Sequence, residues 1–374
     1  MKQAIKGLAG LAMDVVAVGV DVGDRWSHWC ALNDAGEVVG RGRVGSTSEA
    51  VCKQAELWRG ARVAIENGTH SGWFSRALTQ AGCVVTVANP SRWRGTAHSS
   101  KNDANDAEAL ARVVRVDPRL LFPIRHRSEQ SQQDLAIVRC RAQLVKTRTL
   151  LINTVRGTVK SLGHRLPGSD AHYFCGKTWP HVPEVLRPAL APLYATLATV
   201  TQQIAALDRA IEQLSTARYP ETKRLRSVPG IGPVTALTYV LTVGSRERFA
   251  SSREAGAYLG LRPKQRQSGA RDPDLGIAKN GDRYLRSLLV ECAHHVLSRG
   301  PDSALKRWGQ SLNSGGKGAK RRALVAVARK LAVLLHRLWV TGENFQPFPA
   351  QTVETVDANG RAHRSHSTAA ACMG

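Results

Sequence analysis

The sequence predicts an α/β domain followed by a mainly helical half. Three observations lead there: short β-branched runs near the N-terminus alternate with helix-period segments, two unbroken 3-4 apolar repeats occupy the middle, and basic, glycine-punctuated segments fill the last third. At 374 residues the chain is long enough for two or three domains with cores of their own.

The run Val15-Val16-Ala17-Val18-Gly19-Val20-Asp21 is short, β-branched and bounded by Gly23 and Asp24, which predicts a buried strand over 15–22 with Asp21 at its carboxyl end. Strands over 26–32 and 37–44, joined by Asn33-Asp34-Ala35-Gly36, complete an antiparallel meander. The chain then alternates helix 47–58, strand 61–66, helix 71–81, strand 83–88 and helix 104–115, an order of crossover units that demands parallel pairing. This is the ribonuclease H-like order. The strand Ala61-Arg62-Val63-Ala64-Ile65-Glu66 runs into Asn67-Gly68-Thr69, a turn that stops it and exposes Glu66. Asp103 and Asp106 open the last of these helices and, being three apart, share a face.

Asp21, Glu66, Asp103 and Asp106 therefore stand where a two-metal phosphodiester enzyme keeps its ligands. Without cations such acids repel one another, and one raises its pKa. Divalent cations remove that cost, and oxygen donors suit two Mg²⁺ ions that clamp the attacking and leaving oxygens of phosphoryl transfer. Each acid also has an ordinary reading: Asp103, for example, would serve as the N-cap of its helix. Four in the right order are harder to assign to turns. Gly19-Val20-Asp21-Val22-Gly23 before a meander also resembles the first phosphate motif of actin-like sugar kinases. That family usually continues with Thr or Ser, whereas Asp24-Arg25 follows here, and the later Asp-x-x-Asp pair disfavours a kinase.

Composition points to a polyanionic partner: 53 Lys and Arg against 29 Asp and Glu give a net charge of +24. No run reaches the roughly 18 to 20 apolar residues of a spanning helix, which argues against a membrane. Residues 1–14 read as a short tail. Seven cysteines without a C-x-x-C pair speak against a disulfide framework and a zinc site, and fit a reducing cytoplasm. Cys175, between His172 and His181, lacks paired zinc spacing and reads as a packing residue.

The first domain is expected over 15–125 and a helical coiled-coil region over 126–218. One long helix is predicted over 128–162, with Leu135, Val138, Ala142, Val145, Thr149 and Ile152 on one seam. A second, over 188–215, carries Leu190, Leu193, Leu197, Val200, Ile204, Leu207, Ile211 and Leu214. Breakers between them, Leu166-Pro167-Gly168 and Trp179-Pro180-His181-Val182-Pro183, mark an insertion at 165–187 and turn the helices into an antiparallel hairpin. The seam serves either an ordinary intramolecular core or dimerisation. A C-terminal domain follows over 219–345. There Val228-Pro229-Gly230-Ile231-Gly232 before a helix resembles a helix-hairpin-helix turn, in which Gly230 and Gly232 present backbone N–H groups to a phosphate, although Pro-Gly turns before helices are common. The basic stretch beyond it includes Arg262, Lys264, Lys279 and Arg286, and an amphipathic helix over 320–338 closes the domain. Residues 346–374 read as a disordered tail.

Taken in order, Gly19-Val20-Asp21-Val22, Ile65-Glu66, Lys101-x-Asp103-x-x-Asp106-Ala107, Val228-Pro229-Gly230-Ile231-Gly232, Leu259-Gly260-Leu261-x-Pro263, Gln267-Ser268-Gly269, Lys279-x-Gly281 and Ala326-x-Ala328-Arg329-Lys330-Leu331 give the chain a family likeness. It resembles the DEDD transposases of bacterial insertion sequences, the insertion sequence 110 (also 116 and 902) family, over about residues 15–345. The resemblance implies a RuvC-like N-terminal domain, a coiled coil and a mainly helical C-terminal transposase domain with a nucleophilic serine, which by motif match is Ser268. It further implies double-stranded donor and target DNA, a guide (bridge) RNA, and composite sites in a homodimer or tetramer, where the acids of one subunit hold Mg²⁺, two ions in this reading, beside the serine of another. It places the protein in the bacterial cytoplasm, at the nucleoid. Lys101, Arg262, Lys264, Arg266, Lys279 and Arg286, with Gly230 and Gly232, are the expected nucleic-acid contacts, and Arg271 also flanks the serine. No His or Lys adjoins Ser268 to activate it, and Ser-Gly is a common turn pair. Asp24 departs from the family, which frequently has lysine after the first acid. Two other readings stay open: a junction-resolving nuclease that uses water as nucleophile, and a noncatalytic nucleic-acid-binding protein.

Overall fold

The computed structural model describes residues 15–90, 92–93, 102–264, 276–313, 315–316, 318–348, 352–356 and 362–366. The chain divides between Glu129 and Gln130 into two compact units.

The first unit holds β1 (Ala17–Asp21), β2 (Trp26–Leu32), β3 (Val38–Gly45), α1 (Ser48–Glu56), β4 (Arg62–Glu66), α2 (Ser71–Gln80), β5 (Val84–Ala88) and α3 (Asp103–Val116). The sheet order is β3-β2-β1-β4-β5, so β1 is central. β1 runs antiparallel to β2 and parallel to β4, and β4 runs parallel to β5, the meander-plus-crossover arrangement read from the sequence. Side chains alternate along β1. Val18 and Val20 face a core with Val63, Ile65, Phe74 and Leu78, while Ala17 faces the opposite layer with Ala107, Leu110, Ala111 and Val114 of α3.

The second unit contains α4 (Glu129–Ser161), the short α5 (Phe174–Thr178), α6 (Arg187–Ala217), α7 (Thr222–Leu225), α8 (Pro233–Val243), α9 (Arg253–Tyr258), α10 (Arg283–Ser298), α11 (Ala304–Ser311) and α12 (Ala319–Thr341). α4 and α6 pair antiparallel: Val138 clusters with Ile211, Arg141 Nε donates to Asp208 at 2.6 Å, and Val155 and Val159 pack with Leu190, Tyr194 and Leu197. The α4 seam departs from the expected one. Thr149 is exposed, its hydroxyl donating to the Val145 carbonyl at 2.9 Å, and burial moves on to Val155 and Val159. A straight helix drifts against a strict heptad, so a seam extrapolated from its first turns rotates away from its partner. Phe174 and Val182 of the insertion pack on this hairpin, with Cys175 beside them.

Hairpin and C-terminal helices belong to one unit rather than to two separate segments, because Val138 and Ile211 share a cluster with Leu237 and Leu241 of α8. Asp134 lies in the same unit, only 2 % exposed, and accepts from Arg218 Nη1 at 2.9 Å, Tyr219 Oη at 2.8 Å and Gln130 Nε2 at 3.1 Å. Removing a donor from a buried charge leaves its desolvation uncompensated. Arg218→Ala is therefore expected to lower unfolding stability by about 1–3 kcal/mol, measured by denaturant titration.

In the C-terminal tail, Thr352–Val356 pairs antiparallel with Ala362–His366, where disorder was expected. The sequence carries two signals for such a hairpin, the β-branched run Thr352-Val353-Glu354-Thr355-Val356 and the Asn359-Gly360 dipeptide.

Candidate active site

Asp21 ends β1 and Glu66 ends β4, one step past the paired positions Val20 and Ile65, so the parallel register sets the two acids side by side at the carboxyl ends of these strands. Asp103 and Asp106 lie in the first turn of α3. Asp103 is not the helix cap: Asn102 takes that place, its side chain accepting from Ala104 N at 3.1 Å. The Asp103 carboxylate is thereby left outward, 67 % exposed, with Oδ2 3.4 Å from His28 Nδ1 on β2.

The four acids meet electrostatically at Asp21. Burial first, and then the charges of Asp103, Asp106 and Glu66, together push its carboxyl up from the ordinary 3.8 to about 6, against a smaller opposing effect of His28. Among the described residues no three His, Cys, Asp or Glu side chains stand already closed into a metal shell. The donor set is nonetheless all carboxylate oxygen around a partly buried acid, a set that fits a hard divalent cation and gains from its charge.

Close packing places α3 over the sheet. A Cβ on Gly19 would lie 1.9 Å from the Ala107 carbonyl oxygen and 2.4 Å from Ala111 N, so glycine in β1 is what lets the helix backbone touch the strand. Polar ties hold α3 from the other side. Glu108 pairs with Arg41 of β3 and with Arg112, Arg112 Nη1 donates to Gly36 O at 3.3 Å, and Arg115 Nη1 donates to Asp34 O at 2.9 Å. These positioning residues were not picked out from the sequence; the available signal was Gly19, a glycine inside a strand run two residues before Asp21. Asp24, 90 % exposed at the side chain, lies 3.2 Å from His70 Nε2, while Trp73 Nε1 donates to His70 Nδ1 at 3.2 Å. That donation leaves the proton of a neutral His70 on Nε2, facing Asp24.

In the second unit Gly230 turns with φ +87° just before α8, whose N-cap, Gly232, supplies no side-chain cap. Arg262 and Lys264 are exposed at one side of a small stem, in which Lys264 N donates to Gly276 O at 2.8 Å, Ala278 N to Arg262 O at 2.9 Å and Lys279 N to Gly260 O at 3.0 Å. The stem closes tightly. Cβ atoms on Gly260 and Gly281 would fall 2.1 Å from the Asn280 and Tyr258 carbonyl oxygens, and Lys279 takes φ +58°. Arg286, expected to face nucleic acid, instead directs Nη1 to the carbonyls of Leu259 at 2.9 Å and Asn280 at 2.8 Å. Its guanidinium thus ties two backbone acceptors of the stem to α10. Residues 265–275, which in sequence join the two sides of the stem, include Ser268, Arg266 and Arg271; these and Lys101 lie outside the described residues. No helix among the described residues is long and apolar enough to cross a membrane.

Comparison with known proteins bears on both units. Residues 18–163 match the family model of DEDD transposases of the IS110 type, and residues 222–308 match the model described as Transposase IS116/IS110/IS902 family. The chain is 29% identical over 347 residues to the transposase for insertion sequence element IS1111A of Coxiella burnetii, covering 89% of this chain and 92% of that one. It is 31% identical over 240 residues to the transposase for insertion sequence element IS1328 of Yersinia enterocolitica, covering 63% and 71%. A protein of Pseudomonas aeruginosa described as "Probable family 20 transposase" is 30% identical over 285 residues, covering 74% and 83%.

Proposed function

The chain belongs to the IS116/IS110/IS902 family of insertion-sequence transposases, and from that premise we propose that it cleaves and rejoins DNA strands through a carboxylate metal site and a serine-DNA intermediate. The observation that carries the reading is the convergence of Glu66, Asp103 and Asp106 on the half-buried Asp21, whose carboxyl is lifted to about 6 by burial first and by these three charges after it. A fold that holds such repulsion in place has a use for the charge.

Asp21, Glu66, Asp103 and Asp106 would hold the divalent cations, with Mg²⁺ favoured by their oxygen donors. When bound, the metal supplies charge neutralisation at the scissile phosphate and acidifies a coordinated hydroxyl. The remaining steps fall to the protein. The Ser268 oxygen bonds to phosphorus, the bond from phosphorus to the sugar oxygen breaks, and that oxygen leaves as a hydroxyl with the proton the serine gave up. The new phosphodiester conserves the energy of the old one, so a second strand's hydroxyl reverses the step and strands are exchanged. Arg262 and Lys264, exposed on the stem that adjoins the serine segment in sequence, hold the phosphate backbone together with Lys279 and Arg266. Donor and target duplexes are the substrates, a guide RNA selects them, and a homodimer or tetramer brings the acids of one subunit to the serine of another.

Incubation with Mg²⁺, the RNA from the flank of its gene and labelled donor and target DNA tests the proposal on a denaturing gel. Wild type is expected to yield a protein-linked DNA band that Ser268→Ala abolishes. Cleavage that needs Asp21 but continues without a covalent band in Ser268→Ala would make water the nucleophile and the protein a resolvase-like nuclease. DNA binding without any cleavage would leave a noncatalytic binding protein.

A further inference from the structure

Away from the acids, the second unit contains a cavity of about 270 Å³ that opens to solvent between α10, α11 and α12. Its walls combine apolar side chains, Leu297 of α10 and Ala323 and Leu324 of α12, with the polar Ser298, Gln310 and Asn313. Lys320, in the first turn of α12, borders it, and His294 stands on the α10 side. Packing at Gly309 sets the floor. A Cβ there would lie 2.6 Å from both Leu297 Cδ2 and Val327 Cγ2, so α11 reaches its neighbours only because position 309 has no side chain.

Three features single this cavity out. The side-chain amides of Gln310 and Asn313 carry both donors and acceptors, and among the described residues no hydrogen bond engages them. Lys320 has no carboxylate partner among the described residues and sits at the positive end of a 23-residue helix whose N-cap, Gly318, offers no side-chain cap. The volume lies just below the roughly 300–1,000 Å³ of small-ligand pockets, too small for a strand and suited to one planar polar group. An apolar slot with unengaged amides along one edge and a cation at its mouth matches one chemical unit: a base, read by hydrogen bonds along its edge, carrying a phosphate.

We propose that this cavity receives a single unstacked nucleotide, the base lying between Leu297 and Leu324 against the amides of Gln310 and Asn313, its phosphate at Lys320. The inference takes its ligand class from the nucleic-acid-handling function proposed above but concerns a site remote from the acids in sequence. Taking a base out of the stack costs a few kcal/mol, least where it is already unpaired, so the site selects bulged or single-stranded positions.

The test uses the full-length protein with DNA and RNA oligonucleotides in which 2-aminopurine is moved through an unpaired or bulged segment, followed by emission and, separately, by anisotropy. The cavity walls contain no Trp or Tyr to quench the probe. Wild type is expected to raise emission several-fold at one position, and the arm that responds, DNA or RNA, identifies the source of the nucleotide. Gln310→Ala with Asn313→Ala, both at exposed positions, and Ser298→Leu, which fills the cavity from an exposed helical position, should each remove the rise while binding by anisotropy changes less than threefold. Binding with no emission rise at any position, or a rise that survives both variants, overturns the inference alone. Absence of all binding overturns it together with the nucleic-acid function.

Discussion

Asp21→Asn is expected to abolish strand cleavage, by at least about 10²–10³-fold, while raising the thermal stability of the metal-free protein. Both effects have one cause. Burial and the charges of Asp103, Asp106 and Glu66 hold the Asp21 carboxyl at about 6 against an ordinary 3.8. Between these values the folded protein keeps a proton that the unfolded chain has released. Stability contributed by Asp21 is thus fully present below about pH 4 and is lost as pH rises through about 6. Asparagine has no such proton to lose, so the variant should show a flatter melting temperature over that window and a higher one at pH 7. Added Mg²⁺ should stabilise wild type at pH 7 and not the variant, and at limiting Mg²⁺ wild-type cleavage should fall as pH drops below about 6. Melting curves at several pH values, with and without Mg²⁺, give the answer. A variant less stable than wild type without metal would mean that the acids are not in mutual repulsion.

Gly19→Ala is the second large effect, and it works entirely through geometry. The added methyl would meet backbone atoms of Ala107 and Ala111, which cannot rotate away, so α3 must lift from β1. Overpacking of this kind costs about 1–3 kcal/mol or more. Asp103 and Asp106 move with the helix, so cleavage should be lost even where the variant remains folded. A control runs the other way. Gly157 lies inside α4 with nothing within 4 Å of a built Cβ, so Gly157→Ala should stabilise by roughly 0.5–1 kcal/mol and leave cleavage unchanged. Denaturant melts with cleavage assays separate the two. Full activity in Gly19→Ala would show that the strand-helix contact does not position the acids.

The strands, the crossover helices and the long helical pair were legible in the sequence because each rests on local periodicity and turn residues. Strand ends fell at Asp21 and Glu66 as the turn glycines indicated. Less was legible where two elements compete for one role. Asp103 reads as a cap in isolation, yet Asn102, one residue earlier, takes the cap and releases the acid. Arg286 reads as a surface cation, and only the folded stem shows the carbonyls that draw it inward. The α4 seam failed for a geometric reason, since helical drift carries Thr149 outward and brings Val155 and Val159 in.

By itself the sequence determined the order of elements, the positions of the four acids at strand ends and a helix start, the basic character and the family, all properties of residues close together in the chain or of their sum. Tertiary structure alone decided that Asp21 is the acid that titrates high, that Gly19 sets the depth of α3, and that the helical hairpin shares a core with α8. Those outcomes depend on burial, contact and charge summed over residues far apart in sequence, which periodicity cannot carry.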